Sequence, residues 1–208
     1  MTKLYAGVAV AAVAGLLAGS AYWIYAARSG DAFAACRGGQ VAGGTIGGPF
    51  TLVDETGQTV TDADVITRPS LIYFGYTFCP DVCPLDSARN AEAVDILEEQ
   101  GLEVTPVFIS VDPKRDTPEV LAEFTDNLHP RMIGLTGSEA QVKAASQAYK
   151  TYFKLNDAED EFYLVDHSTF TYLVLPETGF ADFFKRDVTA DQMAERVACF
   201  ANAGDAAR

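Results

Sequence analysis

Two cysteines, Cys79 and Cys83, lie in the stretch YFGYTFCPDVCPLD, residues 73–86, and each is followed directly by a proline. Pro80 and Pro84 stiffen the segment between and after them. Two soft thiolates held in this way can close a disulfide reversibly or bind a soft cation such as Cu(I). A plain structural bridge, or two buried thiols, is the alternative. Cys83 precedes Pro84, where a helix is expected to begin, and the free N–H groups and dipole of a helix start favour a thiolate there.

Two thiolates leave a soft cation under-coordinated, and imidazole is the natural third ligand. The chain has two histidines. His167, in FYLVDHSTFTYLVLP, ends an apolar strand next to Asp166, which could orient its ring as metal-bound histidines are commonly oriented. Taken alone it is also a satisfied structural histidine. His129, in DNLHPRM, follows a helix and reads as an exposed or capping side chain.

Elements that could bring these residues together follow from periodicity. FTLVDETGQTVTD predicts a hairpin across Thr56-Gly57, and SLIYFGY (70–76) a buried strand. Pro84 to Gln100 predicts a helix with proline in its first turn and Gly101 just beyond its end. VTPVFISVD (104–112) is a second buried strand, and Thr117-Pro118 opens a second helix. MIGLT is a strand, and Ser138 caps a third helix reaching about Lys150. TYFKL and FYLVDH flank the acidic turn NDAEDE. FTYLVLPETGFADFF is a hairpin turning at Glu177–Gly179, and a helix over about 189–202 closes the chain. Strands alternating with helices predict a three-layer α/β sandwich. The cysteine pair then falls in the loop from a central strand to a helix, the end of an open α/β sheet where sites form.

The formal charge is −14, which argues against a nucleic-acid partner, since that requires a basic face. Leu4 to Ala27 carries no charge, and as a helix it would be about 36 Å long, enough for a bilayer core. Tyr22, Trp23 and Tyr25 sit where an interfacial aromatic belt would lie. A cleaved signal peptide is the competing reading, but the apolar run is longer than such peptides carry. FAAC at 33–36 has the look of a lipoprotein cleavage box, though Arg28 and Asp31 separate it from the apolar run. The expected organisation is a membrane anchor over 1–28, a Gly/Ala-rich tether over 29–48 and one domain over 49–203. With no transit segment ahead of the anchor, the expected location is a bacterial inner membrane, spanned once, with the domain in the periplasm.

Three segments in order, YFGYTFCPDVCPLD, FISVDPKRDTPEVLAEF and YLVDHSTFTYLVLPETG, resemble the Sco/SenC family of membrane-anchored, thioredoxin-like copper proteins. The resemblance covers about Pro49 to Phe200. It implies a thioredoxin-like fold and copper, as Cu(I) or Cu(II), on Cys79, Cys83 and His167, with Asp81 tuning the site. It further implies assembly of the dinuclear copper centre of cytochrome c oxidase subunit II, by copper delivery, by keeping target cysteines reduced, or both, with a copper donor protein upstream. Asp112, in the DPKRD stretch, is a further candidate for the site, whereas Asp116 or Thr117 can simply cap the helix that Pro118 opens.

Cys36 and Cys199 lie outside the motif that carries the resemblance. Outside the cytoplasm they are expected to form a disulfide that fastens the tether to the far end of the domain; the alternative is two unpaired thiols. Three activities stay open for Cys79 and Cys83. The first is metal carriage. The second is thiol–disulfide exchange, although the spacing is CxxxC and no proline occurs between Pro130 and Pro176 to supply the cis-proline that thioredoxins place opposite their cysteines. The third is a thiol peroxidase, for which only Thr77, two residues before Cys79, speaks. A redox or copper sensor is a broader form of these readings.

Overall fold

The computed structural model describes residues 12–24, 32–37, 45–156 and 162–206. Within the N-terminal apolar stretch, residues 12–24 are helical (α1) and exposed; the rest of the expected anchor lies outside the described residues. Among the described residues no helix is long and apolar enough to cross a membrane.

The domain is built on one mixed sheet. Its strands are β1 (Thr51–Asp54), β2 (Thr59–Thr61), β3 (Ser70–Gly75), β4 (Thr105–Ser110), β5 (Ile133–Thr136), β8 (Thr171–Leu175) and β9 (Gly179–Phe184), in the order β2-β1-β5-β4-β3-β8-β9. β3, β4 and β5 pair in parallel, whereas β1 and β2 on one side and β8 and β9 on the other add antiparallel pairs. Both expected hairpins form, and their turns use Gly57 and Gly179 at positive φ, the conformation glycine adopts without a Cβ penalty. β3 and β4 are buried along their whole length, as expected of uninterrupted apolar runs covered on both faces.

Two helices, α3 (Val82–Glu99) and α4 (Pro118–Asp126), connect β3 to β4 and β4 to β5. Successive right-handed crossovers stepping the same way place both on one face of the sheet. There Phe124 of α4 packs on Phe108 of β4 with ring centroids 4.7 Å apart. The closing helix α6 (Ala190–Ala206) lies beside α3, over a core that includes Leu71, Val94, Leu97, Leu173, Met193 and Phe200. The other face is covered by α5 (Glu139–Ala148), after which Tyr149 packs on Phe74 and Tyr172 at 5.4 and 5.5 Å. Helix–sheet–helix layering of this kind is the expected three-layer sandwich.

Helix ends follow local chemistry. Thr117 caps α4 by accepting from the Val120 N–H, with Pro118 in the first turn. Ser138 and Gln141 form a capping box on α5. α3 starts at Val82, two residues before the expected start. Pro84 still falls within the first turn, where a missing N–H breaks no helical hydrogen bond. The sequence reading also lacks one short helix, α2 (Asp62–Val65), held by reciprocal bonds between Thr61 and Asp64. β6 (Phe153–Leu155) and β7 (Val165–His167), expected as strands, form a separate two-stranded sheet.

Cys36 and Cys199 are joined in a disulfide with Cα atoms 5.6 Å apart, closing a loop with a sequence separation of 163. Phe33 stacks on Phe200 beside it, at 5.4 Å. Most of the domain lies inside that loop, so the bridge constrains the unfolded chain strongly, by up to about 5 kcal/mol in the chain-entropy model. Replacing both with serine should lower the urea midpoint of unfolding correspondingly, measured without reductant. An unchanged midpoint would show that the tether adds no constraint to the domain.

Candidate metal centre

β3 ends at Gly75, and the six residues before α3 make the loop that carries Cys79. Gly75 is glycine for want of space. A Cβ there would stand 2.8 Å from the Tyr73 ring, 3.0 Å from the Phe108 ring and 3.1 Å from Cys83 Sγ. Cys83 sits in the first turn of α3, fully buried in the same core cluster as Tyr73 and Phe108. Cys79 lies nearer the surface, at 8% exposure, and its Sγ accepts the Cys83 N–H at 3.4 Å.

The two sulfurs are therefore not equivalent, and their order reverses the sequence expectation. Burial opposes ionisation of Cys79, but the N–H groups of Cys83, Asp81 and Val82 converge on its sulfur and hold its pKa below the ordinary thiol value. Burial pushes the Cys83 thiol well above that value. The helix start stabilises the thiolate that faces it from the loop, which is Cys79; Cys83, already inside the turn, points into the core. Asp81, the residue before the helix, contributes its amide, and its exposed side chain makes no capping bond.

His167 arrives from the opposite side, at the end of β7. Its Nε2 is 3.2 Å from Cys83 Sγ, and its Nδ1 is 2.9 Å from the Ser168 carbonyl. That carbonyl is an acceptor only, so Nδ1 carries the proton and donates it, leaving the Nε2 lone pair turned to the cysteines. Asp166 does not orient the ring; it is exposed on the opposite side of the strand. Tyr76 and Tyr73 pack edge-on around the imidazole at 5.8 and 6.1 Å. Burial lowers the His167 pKa, which keeps the ring neutral at physiological pH.

The sulfurs of Cys79 and Cys83 and a ring nitrogen of His167, the candidate ligand atoms, all lie within 4.8 Å of one another. Two soft sulfurs and one imidazole nitrogen, buried and within reach of a single ion, suit Cu(I) as a donor set. A second cluster of comparable spacing, Asp95, Glu98 and His129, does not suit a metal. His129 Nδ1 accepts the Arg131 N–H at 3.0 Å, so Nε2 carries the proton and donates to Asp95 at 3.3 Å. His129 is thus neither exposed nor a mere cap: it is buried and ties the end of α4 to α3.

The DPKRD turn holds the site from behind and supplies no ligand. Asp116 does not cap α4; it accepts from the Thr77 N–H at 3.1 Å, the Thr77 hydroxyl at 2.6 Å and the Ser110 hydroxyl at 2.5 Å. The Thr77 hydroxyl proton is thereby committed to Asp116, so the one residue that spoke for a peroxidase has a structural role as a tie between the cysteine loop and this turn. Asp112, fully buried, accepts from Tyr163 Oη at 2.6 Å and pairs with Arg115. Asp112, a candidate from the sequence, belongs to the surroundings of the site through Tyr163 and Arg115 and is not one of the clustered sulfur and nitrogen donors. Tyr73, Tyr76, Arg115 and Asp116 were not named from the sequence as site residues. The available signal was a charged run directly after a buried strand. No cis peptide occurs among the described residues.

A family model described as SCO1/SenC matches residues 39–202. "Protein SenC" of Rhodobacter capsulatus is 56% identical over 203 residues, 97% of this chain and 92% of that protein. "Protein SCO1 homolog 1, mitochondrial" of Arabidopsis thaliana is 42% identical over 153 residues, 73% of this chain and 46% of that protein. Among solved structures, Arabidopsis thaliana ScoI with copper bound superposes with a TM-score of 0.71 at 40% identity, covering 75% of this chain and 98% of that one. Bradyrhizobium japonicum ScoI with copper bound gives 0.67 at 35% identity, over 74% and 98%. The fold is thioredoxin-like, as the resemblance implied.

Two measurements probe this geometry. Gly75→Ala should lower stability by about 1–3 kcal/mol, as overpacking a filled core does, and should shift the reactivity of Cys83 more than that of Cys79, read by differential alkylation. Because the His167 pKa is lowered on folding, the unfolded chain binds a proton first as pH falls. Stability should be highest above pH about 6.5 and decline as pH drops from there towards the folded value. Urea unfolding of His167→Gln across that range should lose this component of the slope.

Proposed function

The chain belongs to the SCO1/SenC family, and from that premise we propose that it is a copper-binding assembly factor. It delivers copper to the dinuclear copper site of cytochrome c oxidase subunit II, or keeps the cysteines of that site reduced, or does both. The observation that carries this reading is the convergence of Cys79, Cys83 and His167 within 4.8 Å, with the free nitrogen of the imidazole facing the sulfurs. The relatives solved with copper bound support the metal; the oxidase target and the upstream copper donor are what the family resemblance implies.

Copper is cargo here, and an S₂N donor set suits cargo. A cation held by three ligands leaves room for an incoming thiolate to add before a resident ligand leaves, so hand-over never requires a bare ion. Only the reduced, deprotonated pair can hold the metal. When the two thiols give up two electrons and two protons to form a disulfide, both sulfurs are lost as ligands.

The unequal sulfurs favour a second reading alongside the first. A thiolate stabilised at the surface, with a buried thiol behind it, is the arrangement of an attacking and a resolving cysteine. Cys79 would attack a partner's disulfide and Cys83 would then release the mixed disulfide. The two readings use the same residues and differ in what leaves the site.

The N-terminal apolar stretch, Leu4 to Ala27, fits an anchor that holds the domain at the outer face of a bacterial inner membrane. Its length and its lack of charge support that placement.

Copper stoichiometry separates the readings. The reduced protein should bind one Cu(I) per chain and lose it on oxidation, on Cys79→Ser with Cys83→Ser, and largely on His167→Ala. If the reduced protein holds no copper yet still exchanges disulfides, copper delivery falls and thiol reduction stands.

A further inference from the structure

We propose that Asp112, Arg115 and Tyr163 form a latch that holds His167 against the cysteine loop. None of the three is a ligand. Together they decide whether copper at the site has three protein ligands or two. The second half of the inference rests on the copper reading above; the first half does not.

His167 stands on β7, and the two-stranded sheet of β6 and β7 shares no ladder with the seven-stranded sheet that carries the cysteines. Apart from the short segment 168–170 that joins β7 to β8 of that sheet, the position of the imidazole depends on side-chain contacts between the two. Tyr163, two residues before β7, makes a concentrated set of them. It is buried, and its hydroxyl donates to Asp112 Oδ1 at 2.6 Å. The Arg115 guanidinium lies over its ring at 3.6 Å, within stacking range. Lys114 Nζ approaches the same ring at 5.7 Å.

The latch is fixed at its other end. Asp112 follows β4, its N–H bonds to Ser110 Oγ at 3.0 Å, and its second oxygen takes the Arg115 Nε. Both carboxylate oxygens are thus used, one by each partner. The same guanidinium lies 4.9 Å from the Phe78 ring and 5.7 Å from the Tyr76 ring. Phe78 and Tyr76 flank Thr77, which Asp116 holds. One turn, 112–116, thus grips the cysteine loop through Thr77 and the histidine strand through Tyr163. Tyr76 completes the path, since its ring packs edge-on against His167 at 5.8 Å.

Tyr163→Phe removes the hydroxyl and keeps the ring; Arg115→Lys keeps the charge and loses the planar stack. The first readout is metal-free. In the reduced full chain, ring-to-ring nuclear Overhauser contacts between His167 and Tyr76 should be present, and should weaken or vanish in both variants while the core contact of Phe74 with Tyr149 persists. Unchanged His167–Tyr76 contacts in both variants would overturn the latch. The second readout is copper. Tyr163→Phe should weaken Cu(I) binding about tenfold, the scale of one lost hydrogen bond to a charged group. It should also lower the coordination number seen by X-ray absorption from three to two. Combined with His167→Ala it should cost nothing further, because both act through one ligand. Losses that instead multiply would show that Tyr163 acts on the fold at large, and would overturn the proposal. If the unaltered chain binds no copper, the copper reading fails, and the metal-free contacts still decide the latch.

Discussion

The close approach of α3 to the end of β3 underlies the rest of the site. With no side chain at Gly75, Cys83 Sγ, the Tyr73 ring and the Phe108 ring share one small space. A helix can then begin almost on top of the strand that feeds it, and a sulfur from its first turn becomes part of the hydrophobic core. Interiors are packed as densely as organic crystals, so Cys83 is held in place by the fold itself. Cys79 is held differently, by a proline-stiffened loop and by amide groups that point at it. From this one constraint come two sulfurs of opposite character, one fixed, buried and hard to ionise, the other nearer the surface and easy to ionise.

That asymmetry lets the two proposed activities, metal carriage and disulfide exchange, share one constellation. The Nε2 of His167 and the sulfur of Cys83 already face each other at 3.2 Å, while Cys79 lies nearer the surface. Any chemistry at the pair passes through Cys79, because Cys83 is sealed from solvent. In the proposed readings, metal binding and disulfide formation need the same two sulfurs and exclude each other. The redox state of the pair therefore sets whether the metal function exists at all.

Much of the fold was legible in the sequence because its signals are local. Apolar runs marked β3 and β4, Ser138 and Thr117 marked helix starts, and Gly57 and Gly179 marked turns. The three ligand candidates could also be named, from the types of residue that bind soft cations. What escaped depends on contacts between distant segments. The rank of the two thiols turns on where the helix starts, and an error of two residues moved the favoured thiolate from Cys79 to Cys83. Asp166 looked like the orienting group for His167 because it is adjacent, but strand alternation sends it to the other side, and the Ser168 carbonyl does that work. Asp116 looked like a cap because it precedes Pro118; Thr77, 39 positions away, takes its carboxylate instead. His129 looked exposed because it follows a helix and precedes a proline, yet acids on α3 draw it inward.

The charge around the site follows the same logic of pairing. The chain carries −14 overall, and a buried carboxylate next to the cysteines would oppose formation of the two thiolates a cation requires. Asp86, one turn beyond Cys83, is buried, accepts from Tyr73 Oη at 3.1 Å, and has Arg186 at 3.2 Å and Arg89 at 3.9 Å. Asp112 is matched by Arg115 in the same way. Three guanidiniums thus face two of the three buried carboxylates around a pair of sulfurs that must both lose protons to hold a cation. The third, Asp116, is held by Thr77 and Ser110, and burial raises its pKa and so favours its neutral form. Arginine suits this task because its charge persists on burial and its planar fork satisfies several acceptors at once. An acidic protein can in this way keep its net charge on the surface and still leave its sulfurs free to ionise when a soft cation arrives.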